Sequence, residues 1–202
     1  MFAPLAVLVL AATSAFALPR SVPRADDPCA KFGGAAFGNA GPFTMVTLDL
    51  SNRTNLLVLS PAVGAGSSDP SRRSLATIET FPTADTPTYK LVNGGLFAMT
   101  NNVTVGAAGL APASGAPVYF EVGSTDAAQV YCGVVGTSPA GHDPANPALV
   151  VPGGSNGFAI CNATSSASKS PLQVLIFDAE NNANQGYNFS TCNPVTVQLV
   201  GA

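Results

Sequence analysis

The chain of 202 residues contains no tryptophan and one histidine, and only 9% of its residues are charged. Each shortage excludes something. Without tryptophan, the best aromatic platform for stacking a sugar ring is missing. With His142 alone, and with no two cysteines at the close spacing of zinc ligands, a zinc-type metal centre is not expected. Eight Lys and Arg stand against eleven Asp and Glu, a net charge of −3 with no basic cluster. Nucleic acid and anionic membrane are therefore poor partners. Beyond the start of the chain there is no long apolar stretch, so no membrane-spanning helix is expected. The segment Val195-Thr-Val-Gln-Leu-Val-Gly-Ala202 alternates like a strand and lacks the apolar tail of a lipid-anchor signal.

What the chain does have at its start is a short apolar run, Leu5-Ala-Val-Leu-Val-Leu-Ala-Ala12, followed by Ala15-Phe16-Ala17. The run is shorter than the about 20 residues that span a bilayer. It suits the apolar region of a signal peptide, and the small-x-small triplet places cleavage after Ala17. Leu18-Pro19-Arg20 would break a structural helix there. Arg20 and Arg24 are candidate trimming sites. Arg72-Arg73, the dibasic pair, sits in a Ser/Gly/Asp/Pro stretch that reads as an exposed loop. The expected organisation is a signal peptide at 1–17, a Gly/Ala/Pro-rich lead segment at 18–40 and a single β-domain at 41–202. Secretion to the extracellular space or the cell wall follows.

Four cysteines, Cys29, Cys132, Cys161 and Cys192, are an even number in an exported chain and predict two disulfides. Three pairings are open. The preferred one joins Cys161 to Cys192 and Cys29 to Cys132, tying the lead segment to the body. Four Asn-x-Ser/Thr sequons begin at Asn52, Asn102, Asn162 and Asn188. Each predicts a surface position, because an attached glycan cannot be buried. Asn162 adjoins Cys161, which lowers its expected occupancy.

About a dozen short segments rich in Val, Leu, Thr, Phe and Tyr, separated by Gly, Pro, Asn and Ser, read as strands. They are 43–50, 55–60, 74–81, 88–92, 96–100, 103–106, 117–122, 129–135, 148–151, 157–162, 172–177 and 194–200. Asn93-Gly94-Gly95 marks a tight hairpin, since Asn and Gly tolerate positive φ. No segment after residue 18 has a capped 3.6-residue period. The fold class is all-β: an antiparallel β-sandwich or barrel of about a dozen strands, with a β-trefoil as the alternative.

Candidate chemistry is thin. His142 lies in Gly141-His-Asp-Pro-Ala-Asn-Pro147, where pairing with Asp143 as a general base competes with a plain turn, and the turn is preferred. No Gly-x-Ser-x-Gly elbow supports a catalytic triad. Asp49 and Glu121 lie in strands and could face a groove as paired carboxylates; the solvated face of a strand is the preferred reading for each. Asp178-Ala-Glu180-Asn181-Asn182 offers oxygen ligands without the spacing of a calcium loop, so it reads as a polar loop. Tyr89, Tyr119, Tyr131 and Tyr187 could touch glycan, but packing at the core edge is preferred.

Three stretches carry a resemblance. Thr88-Tyr-Lys-Leu-Val-Asn-Gly-Gly-Leu-Phe97 resembles the aromatic hairpin of fungal secreted cell-wall proteins of the PhiA and Pir-like kind. Residues 148–162, with Gly157-Phe-Ala-Ile-Cys161, then Leu172-Gln-Val-Leu-Ile-Phe177, then Cys192-Asn-Pro-Val-Thr-Val, are similar to their C-terminal signature. The resemblance covers about residues 86–200. It implies no catalytic residues and no cofactor or metal. The Gln-rich repeat that carries glucan attachment in the Pir type is absent, so that linkage is not implied. The expected function is a monomeric, secreted, N-glycosylated, disulfide-containing structural protein of the cell wall, not an enzyme, with wall polysaccharide as its partner. The alternatives are a secreted lectin-like carbohydrate-binding module and, behind it, a secreted hydrolase or a host-directed effector.

Overall fold

The computed structural model describes residues 27–51, 53–64, 68–82, 84, 86–101, 103–135, 146–164, 171–181 and 186–201. The signal-peptide segment, Arg20, Arg24, Asn52, Asn102 and the His142 loop lie outside them. A 3-10 turn at Ala30–Phe32 precedes fourteen strands: β1 (Ala36–Phe37), β2 (Ala40–Asp49), β3 (Thr54–Pro61), β4 (Arg72–Thr77), β5 (Thr88–Val92), β6 (Gly95–Thr100), β7 (Val103–Ala107), β8 (Ala116–Pro117), β9 (Tyr119–Val122), β10 (Cys132–Val134), β11 (Ala148–Val150), β12 (Phe158–Ala163), β13 (Gln173–Phe177) and β14 (Tyr187–Val200). No α-helix occurs among the described residues.

Period-two alternation orients the wall. In β2, Phe43, Met45 and Thr47 are buried between less buried neighbours. β14 lies antiparallel beside it, so Leu199 stands opposite Met45 and Val197 opposite Thr47. The other edge of β2 is divided: Ala40 and Phe43 pair with β5, and Val46–Leu48 pair with β3. β4 is divided similarly, with β3 on one edge and β9 and β13 on the other. The pairings close a nine-strand antiparallel barrel, β2-β5-β6-β7-β9-β4-β13-β12-β14 and back to β2, with β3 bridging β2 and β4. β1, β10 and β11 extend from β14, and β8 pairs with β13. The pairing order has no three-fold repetition, so the barrel is realised and the trefoil is not.

The core follows from which faces these strands bury. Phe43, Tyr89 and Phe120 form an aromatic row with ring centroids 6.5 and 6.0 Å apart. The buried Tyr89 hydroxyl donates to the Leu57 carbonyl at 3.1 Å. β12 and β13 are apolar on both faces. Phe158, Ile160, Leu175 and Phe177 enter the main core, while Ala159, Cys161, Val174 and Ile176 join Val63, Leu172 and Tyr187 in a second cluster. A strand buried on both sides reads as a continuous apolar run, which is why 172–177 shows no alternation.

The lead segment docks onto the hairpin between β5 and β6. Asn93 (φ 50°) and Gly94 (φ 78°) make the two-residue turn, both in the left-handed region that such turns require. The Gly94 N–H donates to the Gly38 carbonyl at 2.9 Å, and the Tyr131 N–H donates to the Gly94 carbonyl at 2.8 Å. Asn39 Oδ1 accepts from the Asn93 N–H at 3.0 Å. Cys29 is disulfide-bonded to Cys132 beneath this contact, and Cys161 to Cys192, the preferred pairing. One expectation is corrected. Arg72 and Arg73 are not in a loop: they begin β4, opposite Glu121 and Phe120 of β9, where backbone pairing occupies the main-chain groups a processing protease would have to engage.

Two stability measurements follow. The disulfides close sequence separations of 103 and 31 residues; on the chain-entropy model their loss costs about 4.7 and about 3.7 kcal/mol. Urea denaturation of Cys29→Ser/Cys132→Ser and Cys161→Ser/Cys192→Ser should therefore rank the first pair as the more damaging. At Gly94 a Cβ would lie 2.6 Å from Pro28 Cγ. Gly94→Ala should cost about 1–3 kcal/mol from backbone strain alone, read as a lower denaturation midpoint.

Candidate functional site

The acidic residues singled out in the sequence are not brought together. Asp49 ends β2 and clamps the turn into β3: its carboxylate accepts from the Ser51 N–H (2.8 Å), the Arg53 N–H (2.9 Å) and Arg53 Nε (2.9 Å). The Arg53 backbone N–H, with the Ser51 N–H and the Arg53 side chain, holds its pKa below the ordinary carboxylate value. Glu121 in β9 instead meets Arg72 at 3.5 Å, beside Tyr119, over whose ring the same guanidinium stands at 5.8 Å. Both acids stabilise local structure: Asp49 is held by Arg53, and Glu121 shares Arg72 with Asp69, which meets the same guanidinium at 3.6 Å. Among the described residues no group of three His, Cys, Asp or Glu gathers to hold a metal.

Asp178 differs from its expected place in a polar loop. It is 6% exposed, with φ 47°, at the end of β13. Its Oδ2 accepts from Ser114 Oγ at 2.7 Å; its Oδ1 accepts from Ser155 Oγ (3.1 Å), the Asn156 N–H (3.0 Å) and Asn156 Nδ2 (2.9 Å). Its own N–H donates to the Gly157 carbonyl at 2.7 Å, and its carbonyl accepts from the Gly115 N–H at 2.9 Å. One carboxylate thus ties together the loops before β8 and before β12. Its oxygens are used by protein donors, an arrangement for fastening loops rather than for proton transfer. The Ser114 hydroxyl foremost, then the Asn156 N–H, lowers its pKa. Ser114, Ser155 and Asn156 were not singled out in the sequence; the signal available was Ser, Asn and Gly clustered at apolar strand ends.

None of the four tyrosines is exposed. Tyr89 and Tyr131 are fully buried, and burial raises both phenol pKa values. The buried Tyr187 hydroxyl accepts from the Glu180 N–H (3.1 Å) and donates to its carbonyl (2.9 Å). Tyr119 Oη donates to the Val63 carbonyl at 2.6 Å. Among the described residues the exposed large aromatic is Phe189, at 41%.

Phe189 belongs to the most distinctive surface feature. Along β12, Ile160 and Asn162 pair with Asn193 and Asn188 of β14. Five residues of β14 therefore span a two-residue step, and three residues bulge out. Within the bulge, Asn188 Oδ1 accepts from the Ser190 N–H (3.1 Å) and Ser190 Oγ (2.8 Å). Thr191 Oγ1 donates to the Asn188 carbonyl (2.6 Å) and accepts from the Asn162 N–H (2.9 Å). The Cys161–Cys192 disulfide fastens the bulge to β12. Asn188, Phe189 and Ser190 are exposed, while Asn162 is half-buried. The structure thus brings two sequons together, opposite one another on adjacent strands, and places only one where a surface glycan was expected for both.

Compared with known proteins, the chain matches no family model, no curated protein and no solved structure.

The Asp178 cluster makes a pH prediction. A carboxylate whose folded pKa is depressed contributes stability above its unfolded pKa, about 3.9, and that contribution is lost as pH falls through the folded value. Asp178→Asn should lower the melting temperature near neutral pH and flatten its dependence on pH below about 4. Thermal melts of both proteins across that range check this; parallel curves would contradict it.

Proposed function

We propose that this protein is an exported, N-glycosylated structural component of a fungal cell wall, without catalytic activity. The observation that carries the proposal is the pairing of all four cysteines into two disulfides, cross-links that persist in oxidising compartments. The apolar run at residues 5–12 and the four sequons support the same route. The stretches that resemble PhiA and Pir-like proteins form β5 and β6, then β11 to β13, then the part of β14 from Cys192 onward. In such a role the barrel is a rigid framework. Its strands are hydrogen-bonded into a closed wall, two disulfides fasten the lead segment to β10 and β12 to β14, and its polar surface packs among wall polysaccharides.

Fractionation of a producing culture tests this. The protein should be found in the medium or wall fraction and lose mass on enzymatic removal of N-glycans. Retention inside the cell as an unglycosylated chain would overturn the proposal. Incubation with insoluble glucan, chitin and mannan then identifies the wall partner. Release of sugar or peptide fragments during that incubation would contradict the non-catalytic role.

A further inference from the structure

The bulge between β12 and β14 places two sequon asparagines face to face. Asn162 and Asn188 are direct cross-strand partners. Such partners project from the same face of a sheet, with Cβ atoms about 4.5–5.5 Å apart. A sugar ring with its substituents is wider than the about 4.8 Å between neighbouring strands. Two N-linked glycans therefore compete for one space above this pair.

The two positions are not equivalent. Asn162 lies between Cys161 and Ala163, both buried in the second cluster, so its side chain shares the face of Ile160, which enters the main core. Its N–H is held by Thr191 Oγ1, and the same hydroxyl reaches back to the Asn188 carbonyl. The bulge is thus folded against Asn162. Asn188 and its next two residues are exposed. Its Oδ1 is engaged by the Ser190 N–H and hydroxyl, whereas an N-linked sugar is joined through Nδ2. A glycan at Asn188 leaves the turn's acceptor in place. Among the described residues, 187–194 pair with β12 alone, because β2 joins β14 only from Val195 onward. Asn188 and the two residues after it keep their exposure there, and that exposed face is where a sugar can stand.

We propose that this pair of sequons forms a single glycosylation site, occupied by one N-linked oligosaccharide on Asn188 and not on Asn162. The inference rests on the reading that the chain passes through a glycosylating route.

The test uses the full chain secreted from a eukaryotic host. Peptide mass spectrometry after enzymatic glycan release maps the occupied asparagines, and intact mass counts glycans per molecule. Asn188 should be modified and Asn162 not. Two variants remove one acceptor each: Ser190→Ala should lose the mass of one glycan, and Thr164→Ala should lose none. Asn188→Asp keeps the Oδ1 acceptor of the turn, so it should lose the same glycan as Ser190→Ala and still be secreted. Modification of Asn162, a mass loss in Thr164→Ala, or no loss in Ser190→Ala would overturn the assignment. If Asn52 and Asn102 are modified in those same molecules, the glycosylated-export reading stands while this inference falls. If no asparagine is modified in the secreted protein, both fall.

Discussion

The pairing of β14 with β2 is the constraint on which the rest of the architecture depends. Six consecutive residues, Val195–Val200, lie against Asp49–Thr44, joining the last strand to the first long one. Without that ladder β12, β13 and β14 would no longer close onto β2, which would stay linked to β4 only through β3 on this side, and the freed edge of β14 would invite pairing with other chains. Closure also decides which residues form the core. Leu199 and Val197 meet Met45 and Thr47 only in this register, and a one-residue slip of β14 would turn Leu199 and Val197 outward. Because the contact joins positions about 150 residues apart along the chain, it can form only after a large loss of chain entropy. The Cys29–Cys132 bridge and the docking of residues 38–39 on the Asn93-Gly94 turn fix the other side of the same region.

The same strand explains the bulge. β14 continues beyond the barrel toward its N-terminal end, where β12 is its sole ladder partner among the described residues. A ribbon with one open edge must satisfy its remaining polar groups without a neighbouring strand. Here side chains do so: Thr191 takes the Asn162 N–H, and Asn188 takes the Ser190 N–H. Pro194 has no N–H to offer. The Cys161–Cys192 bridge sits at this point, holding the bulged strand to β12 where main-chain pairing is interrupted. The cross-link and the side-chain bonds therefore serve one purpose, keeping an irregular strand in register with a regular one.

Much of the fold was legible in the chain because short-range chemistry determines it. The hairpin at Asn93-Gly94 follows from residues that tolerate positive φ, and β5 spans 88–92 as its alternation predicts. The disulfides agree with the expected Cys161–Cys192 and Cys29–Cys132 pairing as well, although they span 31 and 103 residues. What was not legible is non-local. β1 is two residues long and exists because β10 lies beside it. The expected strand at 117–122 divides into β8 and β9 at Val118, which bonds β13 on one side and β4 on the other. β14 starts seven residues before its expected Pro194, because Asn188 to Asn193 lose the period of two within the bulge. For the site, the sequons were visible as motifs, but their juxtaposition arises only from the β12–β14 register.

The scarcity of charge has a physical counterpart in how the acids are used. Asp27, Asp49 and Asp69 each accept the N–H of the residue two positions on, at 2.8–2.9 Å, the Asx-turn that fixes a reversing backbone. Asp178 holds two loops at once. Most described aspartates are thus fastenings for turns between strands, placed where an antiparallel barrel must reverse direction. Asn188 makes the same turn with the same geometry at Ser190, but with an amide in place of a carboxylate. The difference is chemical rather than structural: either side chain can hold the turn through Oδ1, and only the amide also offers a nitrogen for a sugar. At this position one residue type holds the turn and, in the proposed glycosylation, would also be the acceptor, and the bulge presents it to solvent.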